Sequence, residues 1–409
     1  MHDPASSDAS RPRDATAGLR QGARIALVVA VAHAMNDTYA SFLPPLLPRL
    51  MNRLDLSIAL AATLAMTFSL ASSVLQPLMG YAADRFGRRA FVVAGPLMSG
   101  VFISLIGLAP SFWLLMAVLT LAGLGSAAFH PPGASFAARV SEGQGSGVRL
   151  SVFSFGGSVG FAVGPLLAVA LVRHRGLEGL WVAMLPILLV TPFLYRAIPP
   201  GHTERHEAHR PPSPRHVLRI LAGPLGLLFG ISSVGAFAQR TFLTMQPIVV
   251  AQAGGSETVG AWSLTVYLLA QSVGTLVGGT LADRVDRQRL LVGLCLLSFP
   301  AHMLAVSLTP GAPAALAFAG AAGFLGMATL PPIVVMAQEM LPRSAALGSG
   351  IVMGLAWATG SVGVLGTGVL ADHIGAQGAA VASMPAILIA LALALHPALG
   401  RHRRPLHAS

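Results

Sequence analysis

The stretch GYAADRFGRR, residues 80–89, occurs a second time as GTLADRVDRQR, residues 279–289. Each copy connects one apolar run to the next. Three further pairs of similar segments follow the same order in the two parts of the chain. The first pair is Asp37-Thr-Tyr and Arg240-Thr-Phe, each with a proline seven residues beyond the charged residue. The second is GLGSAAFHPP at 123–132 and GFLGMATLPP at 323–332, and the third is GSVG at 157–160 and again at 360–363. The chain is therefore a parallel duplication, an arrangement that places a central site between two halves.

The composition is that of a protein that crosses a membrane many times. Hydrophobic residues make up 54% of the 409 residues, charged residues make up 10%, and the mean hydropathy is +0.71. Because about 20 apolar residues are needed to cross a bilayer as a helix, the sequence predicts an all-α polytopic protein with twelve spans. These spans lie near 25–50, 58–81, 90–109, 112–137, 149–172, 177–197, 219–252, 258–281, 290–309, 313–338, 347–371 and 376–398.

The arginines indicate how the spans are oriented. Most lie before the first span, after the last, or in the loops after spans 2, 4, 6, 8 and 10, whereas Arg49, Arg53, Arg173 and Arg175 lie on the other face. By the positive-inside rule both termini are cytoplasmic, which predicts a multi-pass protein of the inner membrane. The expected parts are a cytoplasmic tail at 1–24, a six-helix bundle at 25–197, a cytoplasmic linker at 198–218, a second bundle at 219–398 and a cytoplasmic tail at 399–409. The net charge of +11 follows this topology pattern, so we expect a lipid bilayer as partner and no nucleic acid.

The repeated loop resembles the cytoplasmic loop motif of the major facilitator superfamily, which lies between spans 2 and 3. The resemblance covers residues 25 to 398 and implies twelve helices in two pseudo-symmetric six-helix halves that alternate between inward-facing and outward-facing states. Asp84 can pair with arginine or with a helix N-terminus and so latch the cytoplasmic side. Asp286 stands where the first copy has Gly87, which puts a tight second latch in doubt. The predicted gate residues are Gly80, Asp84, Arg85, Gly87, Arg88, Arg89, Asp283 and Arg284.

A narrower resemblance lies in spans 1 and 4. HAMNDTYASFLPPLLPRL at 33–50 and AAFHPPGASFAARVS at 127–141 are similar to the fosmidomycin-resistance group of drug exporters. That group has an acidic residue where this chain has Pro132, so one proton carrier of the group is missing. GFAVGPLLA at 160–168 resembles half of an exporter motif. The alternative is that Gly156, Gly160, Gly164 and Pro165 form a smooth helix face for close packing.

Two charged residues lie inside predicted spans, Asp37 in span 1 and Arg240 in span 7. Each costs about 2.5–3.5 kcal/mol at a helix centre, so both should face an interior cavity. Their matching positions suggest an ion pair that forms or exchanges during transport, or a structural lock between helices. His33 lies one helical turn before Asp37 and either shares its proton or serves as a structural hydrogen-bonding residue. The predicted coupling and cavity residues are Asp37, Arg240, His33, Asn36, His130, Tyr39 and Gln239.

Other functional classes lack their sequence signatures. There is no Gly-Lys-Ser/Thr phosphate loop for an ATP-driven pump, and the glycines at 123–128 follow no strand and lie in a span, so they do not indicate a dinucleotide site. Apart from His33 and Asp37, no histidine is grouped with cysteine or carboxylate at ligand spacing, so we expect no metal. We expect a monomeric non-enzyme, without cofactor and driven by a proton gradient, that exports a small drug-like molecule or metabolite by antiport with protons. The alternatives are proton symport that takes up a small organic anion and, third, a membrane scaffold.

Overall fold

The computed structural model describes residues 11–139, 146–199 and 213–400. Most of the predicted linker and C-terminal tail, and the first ten residues, lie outside this part of the chain. Within it, regular structure is entirely helical, which confirms the predicted all-α class.

The described residues of the first half form eight α-helices. They are α1 (Arg11–Ala40), α2 (Leu43–Leu54), α3 (Ile58–Val74), α4 (Gln76–Phe86), α5 (Arg88–Leu105), α6 (Phe112–Arg139), α7 (Ser146–Arg175) and α8 (Met184–Ala197). Short 3₁₀ turns at Ile106–Leu108 and Glu178–Ala183 extend α5 and lead into α8.

In the second half, residues 213–400 form ten α-helices. They are α9 (Pro214–Leu221), α10 (Pro224–Gln252), α11 (Glu257–Ala282), α12 (Arg287–Ser307), α13 (Pro313–Ala328), α14 (Leu330–Met340), α15 (Ala345–Ser349), α16 (Ala356–Ser383), α17 (Ala386–Ala394) and α18 (Pro397–Gly400). A 3₁₀ turn at Pro342–Ser344 and a π-helical segment at Gly350–Leu355 flank α15.

The number of membrane spans among the described residues depends on how bent and broken helices are counted. The described residues contain nine helical segments long and apolar enough to cross a membrane, or eleven if two bent pairs each count as one span. One of the nine, Leu347–Ala394, has 48 residues, about 70 Å at 1.5 Å per residue and too long for a single crossing. Within it Gly375 has φ of 79°, which breaks the helix and separates spans 11 and 12.

One predicted boundary is wrong. We expected span 7 to begin at residue 219, but α9 and α10 meet at a bend of 87°, so the spanning helix begins at Pro224. Pro224 occupies the first turn of α10, where its missing N–H has no intrahelical partner to lose. Proline therefore starts a new helix here, and α9 is a separate short amphipathic helix.

The two halves meet along α3 with α16 and along α7 with α11. We call the face with the helix ends at Phe86, Ala197 and Pro214 the terminal face, and the face with the ends at Leu54 and Gln252 the distal face.

Polar contacts between the halves run from the membrane centre to the distal face in the described residues. Near the centre, Ser69 Oγ lies 2.7 Å from Ser361 Oγ, and Thr265 donates to the carbonyl of Ala162 at 2.8 Å. At the distal face Arg49 forms a two-pronged ion pair with Glu257, Arg173 donates to the Thr258 hydroxyl at 2.8 Å, and Asp372 accepts from the backbone N–H of Ile58 at 2.7 Å and of Ala59 at 3.2 Å. The distal face is closed in this conformation.

Candidate functional site

The centre of the first half holds a carboxylate between two histidines. His33 and Asp37 lie one turn apart on α1, and His130 is supplied by α6. Nε2 of His33 lies 3.2 Å from Asp37 Oδ2, and Nε2 of His130 lies 3.4 Å from Asp37 Oδ1. Asn36 donates from Nδ2 to Asp37 Oδ1 at 2.9 Å and to Ser126 Oγ at 3.3 Å. Three side chains therefore hold one carboxylate in place.

The other ring nitrogens fix the protonation pattern of this cluster. Nδ1 of His33 lies 2.9 Å from the carbonyl of Phe153, and Nδ1 of His130 lies 2.8 Å from the carbonyl of Ser126. Because a carbonyl oxygen only accepts hydrogen bonds, both Nδ1 atoms carry the proton and donate it. Each neutral ring then turns its Nε2 lone pair toward Asp37. Because this nitrogen and the carboxylate oxygen are both acceptors, a hydrogen bond between them requires one more proton, on either atom.

The position of His33 depends on close packing of α7 against α1. Its ring stacks on Phe153 with centroids 4.2 Å apart, and a Cβ at Gly157 would overlap the imidazole. Gly156, Gly160 and Gly164 lie directly against the α1 carbonyls of Ala30, Ala34 and Thr38, respectively. Pro165 follows within the same helix, α7. The glycines of span 5 thus let α7 approach α1 closely enough for the carbonyl of Phe153 to accept a hydrogen bond from His33.

The second half holds a buried arginine. Arg240 lies on α10, and its Nε is buried without a hydrogen-bond acceptor. The guanidinium carbon lies 5.8 Å from the centre of the Trp357 ring, which gives the cation a π face. In the described residues no ion pair joins Arg240 to Asp37, so the charges at matching positions are separate in this conformation.

A small open pocket is lined by Gln239, the neighbour of Arg240 in the chain, and by Trp357, whose ring faces the guanidinium. Its lining includes Gln239, Gln271, Tyr267, Trp357, Ser232 and Thr329, all uncharged. Gln239 donates to Gln271 Oε1 at 3.0 Å. Behind the pocket Tyr267 OH lies 3.1 Å from Nε2 of His302, a buried histidine that sequence reasoning did not select. Met327, Leu330 and Ala236 also line the pocket, so its wall is neutral and combines polar with apolar groups.

Tyr39 lies away from this cavity. Its hydroxyl donates to the carbonyl of Ala183 at 2.7 Å, and the side chain is packed in the apolar core beside Phe42. The sequence predicts that Tyr39 lines the cavity, but its hydroxyl joins span 1 to span 6. The sequence does not reveal this contact, because the contact depends on which neighbouring helix faces the ring.

The predicted gate residues of the first copy form contacts within their own half. Arg88 donates from Nε to Asp84 Oδ1 at 2.6 Å and from Nη1 to Ser135 Oγ of α6 at 2.8 Å. Arg89 donates to the carbonyl of Tyr195, and its guanidinium lies 3.9 Å from the centre of that ring. These arginines connect span 3 to spans 4 and 6.

Three further residues of the first copy shape the same end of span 2. Gly87 has φ of 105° at the turn between α4 and α5, and Gly80 packs against Pro131. The guanidinium of Arg85 lies 5.8 Å from the centre of the Phe86 ring. This loop therefore combines a tight turn with close contact between α4 and α6.

The second copy uses a different contact. Asp286, which replaces Gly87, accepts from the backbone N–H of Arg289 at 2.9 Å and caps α12. Arg287 pairs with Glu339 of α14 at 2.7 Å. Asp283 and Arg284 lie where α11 ends. The loss of glycine is thus accompanied by a helix cap and an ion pair within the second half.

Comparison with known proteins places the chain among membrane transporters. The family model of the Major Facilitator Superfamily matches residues 28–253 and 228–407. The fosmidomycin resistance protein of Escherichia coli (strain K12) is 27% identical over 363 residues, covering 84% of this chain and 86% of its own length. The uncharacterized MFS-type transporter YfnC of Bacillus subtilis (strain 168) is 28% identical over 368 residues, covering 86% and 87%. The crystal structure of a bacterial homolog to the human lysosomal transporter Spinster, in an inward-facing and occupied conformation, superposes with a TM-score of 0.77 at 17% identity, covering 90% of this chain and 95% of that chain.

Proposed function

Since the chain belongs to the Major Facilitator Superfamily, whose members are transporters, we propose that it exports a small drug-like molecule or metabolite in exchange for protons. It is a multi-pass membrane protein; its placement in the inner membrane with both termini in the cytoplasm follows from the arginine pattern and is part of the proposal. The transporter works as a monomer, with the proton gradient as its energy source and no cofactor.

The observation that carries the proposal is Asp37 held between His33 and His130. An ionised carboxylate inside a membrane protein is costly unless it is paired or protonated. Here the two Nε2 atoms lie 3.2 and 3.4 Å from the carboxylate oxygens, so a proton fits between each nitrogen and its oxygen. The number of protons on this cluster changes its net charge, so protonation can drive a change between conformations that surround it differently.

The substrate class in this proposal comes from two observations. The Escherichia coli relative carries the name fosmidomycin resistance protein, and a pocket of the second half has a neutral lining that combines polar and apolar side chains. Substrate bound in this pocket and protons bound at Asp37 occupy opposite halves, so each can bias the same rocking motion.

Arg240 favours a second candidate, proton symport of a small organic anion. Its Nε is buried without an acceptor among the described residues, so the guanidinium can attract an anion into the second half. Protons taken up at Asp37 would then travel with the anion. Antiport and symport therefore differ in the direction of proton movement and use the same two residues.

The test is the internal pH of proteoliposomes of known orientation when fosmidomycin, small anions, cations and neutral drugs are added across a fixed proton gradient. Proton movement opposite to the substrate supports antiport, and movement in the same direction supports symport. Asp37→Asn should abolish proton movement and leave binding measurable. Asp55→Asn is the matched control, because Asp55 lies at a helix end with φ of 50°, where asparagine is tolerated. Equal proton movement by wild type and Asp37→Asn would overturn the proposal.

A further inference from the structure

The cluster in the first half has the geometry of a metal site. Nε2 of His33, one carboxylate oxygen of Asp37 and Nε2 of His130 all lie within 4.8 Å of one another. We propose that these three side chains bind one divalent transition-metal cation of the Zn²⁺ class. The sequence offered only the first two at ligand spacing, because His130 comes from a different helix.

The outer hydrogen bonds of the two histidines support metal binding. Metal-bound histidines almost always donate their second ring nitrogen to a carboxylate, a backbone carbonyl or water, which fixes the ring and its tautomer. Here both Nδ1 atoms donate to backbone carbonyls, of Phe153 at 2.9 Å and of Ser126 at 2.8 Å. Both Nε2 lone pairs are therefore available on the side that faces Asp37.

The separations between ligand atoms also fit. Tetrahedral zinc with bonds of about 2.0–2.1 Å places its ligands about 3.3 Å apart. Nε2 of His33 lies 3.2 Å from Oδ2 of Asp37, and Nε2 of His130 lies 3.4 Å from Oδ1. Asn36 donates to Oδ1 at 2.9 Å and holds the carboxylate in place. The ligand atoms of the three residues lie within 4.8 Å of one another, so one ion can approach all three side chains.

The chemistry of the ligand set selects the kind of cation. Two imidazoles and one carboxylate favour Zn²⁺, Co²⁺ and Ni²⁺ over Mg²⁺ and Ca²⁺, which prefer oxygen ligands. Three protein ligands leave a fourth position for water. The side chains of His130 and Asp37 are 30% and 17% exposed, so the ion has a path to the cluster.

Occupation by a metal excludes the protons that the same atoms hold. Metal binding at the cluster does not require that the protein transports protons. Only the effect of the metal on transport rests on the proposed function. A Zn²⁺ ion at this position takes both Nε2 lone pairs and a carboxylate oxygen, so the cluster can no longer change its proton count. We therefore expect micromolar Zn²⁺ to stop substrate-driven proton movement.

The test is a titration of the purified full-length protein in detergent with Co²⁺, whose d–d absorption reports tetrahedral coordination. We expect one tetrahedral Co²⁺ per chain, displaced by Zn²⁺, and a loss of this signal in His33→Gln and in His130→Gln. His302→Gln is the matched control, since His302 is a buried histidine of the other half whose ring contacts Tyr267 and Ser298 and no carboxylate.

The control for adventitious binding uses the other histidines of the chain, which has 13 in all. Four lie in the predicted linker, His202, His206, His209 and His216, and are replaced together by glutamine. A tetrahedral signal that disappears with the linker histidines and survives His130→Gln overturns the proposal, as does the absence of any tetrahedral signal. Tight Co²⁺ binding by a protein that moves no protons would support the metal site and overturn the proposed function, so the two ideas fail separately.

Discussion

Gly157 of α7 lies directly against the imidazole of His33 on α1, so the space that the histidine occupies exists because residue 157 has no side chain. The ring is held between this glycine and Phe153, whose carbonyl accepts from Nδ1 at 2.9 Å. The rotamer of His33 therefore depends on Gly157, which has no side chain, and so does the contact between His33 and Asp37.

Gly157→Ala should displace His33 and lower stability by about 1–3 kcal/mol, the usual cost of overpacking a close-packed interior. The measurement is thermal unfolding in detergent combined with substrate-driven proton movement, and both should decrease. Gly366→Ala is the control, because a Cβ at Gly366 meets nothing within 4 Å. Similar behaviour of the two variants would contradict the packing role of Gly157.

Arg240→Gln should weaken binding of anionic compounds by about 10- to 100-fold, the range expected for loss of a charged hydrogen bond worth about 1.5–3 kcal/mol. Binding of neutral compounds should change little. Arg240→Lys keeps the charge and should recover part of the anion affinity. Direct binding measurements with charged and neutral ligands separate these outcomes, and an equal loss for both classes would point to structural damage.

Breaking the distal ion pair should shift the protein toward an outward-open state. Glu257→Gln removes the partner of Arg49 from the contact between halves. We expect a cysteine introduced at Ser232, which lines the pocket, to react faster with an impermeant reagent added from the distal side. Arg53→Gln is the control, since Arg53 contacts Gly107 and Glu178 within the first half. The charge swap Arg49→Glu with Glu257→Arg should restore wild-type labelling, and failure to restore it would argue against a direct pair.

Asp286→Ala should destabilise the start of α12 by about 0.5–2 kcal/mol, since it removes a side-chain cap. Asp286→Asn keeps an acceptor for the N–H of Arg289 and should retain most of that stability. Thermal unfolding of the two variants provides the measurement. If both are equally destabilised, then the charge of Asp286 matters more than its capping hydrogen bond.

The fold followed from patterns that one sequence contains. Hydropathy and the repeated loop predicted twelve helices in two halves, and the glycine and proline positions explain the bounds that differ, such as the start of α10 at Pro224. His33 and Asp37 could be placed together because they are neighbours on one helix.

The rest of the site depends on contacts between helices that spacing does not encode. His130 joins Asp37 only because α6 crosses α1 at that depth. The hydroxyl of Tyr39 turns to the carbonyl of Ala183 for a similar reason. That Nε of Arg240 has no acceptor among the described residues also becomes visible only from the positions of its neighbours.

The carboxylate of Asp372 has a consequence for the energetics of the transport cycle. It accepts hydrogen bonds from the first backbone N–H groups of α3, a helix of the other half. When the distal face opens, water can take over both N–H groups and the carboxylate, so each bond costs about 1.5–3 kcal/mol to release, less than its strength in an apolar medium. These two hydrogen bonds hold the closed state in register at a cost that the binding of a ligand can offset, so ligand occupancy can decide which face is open.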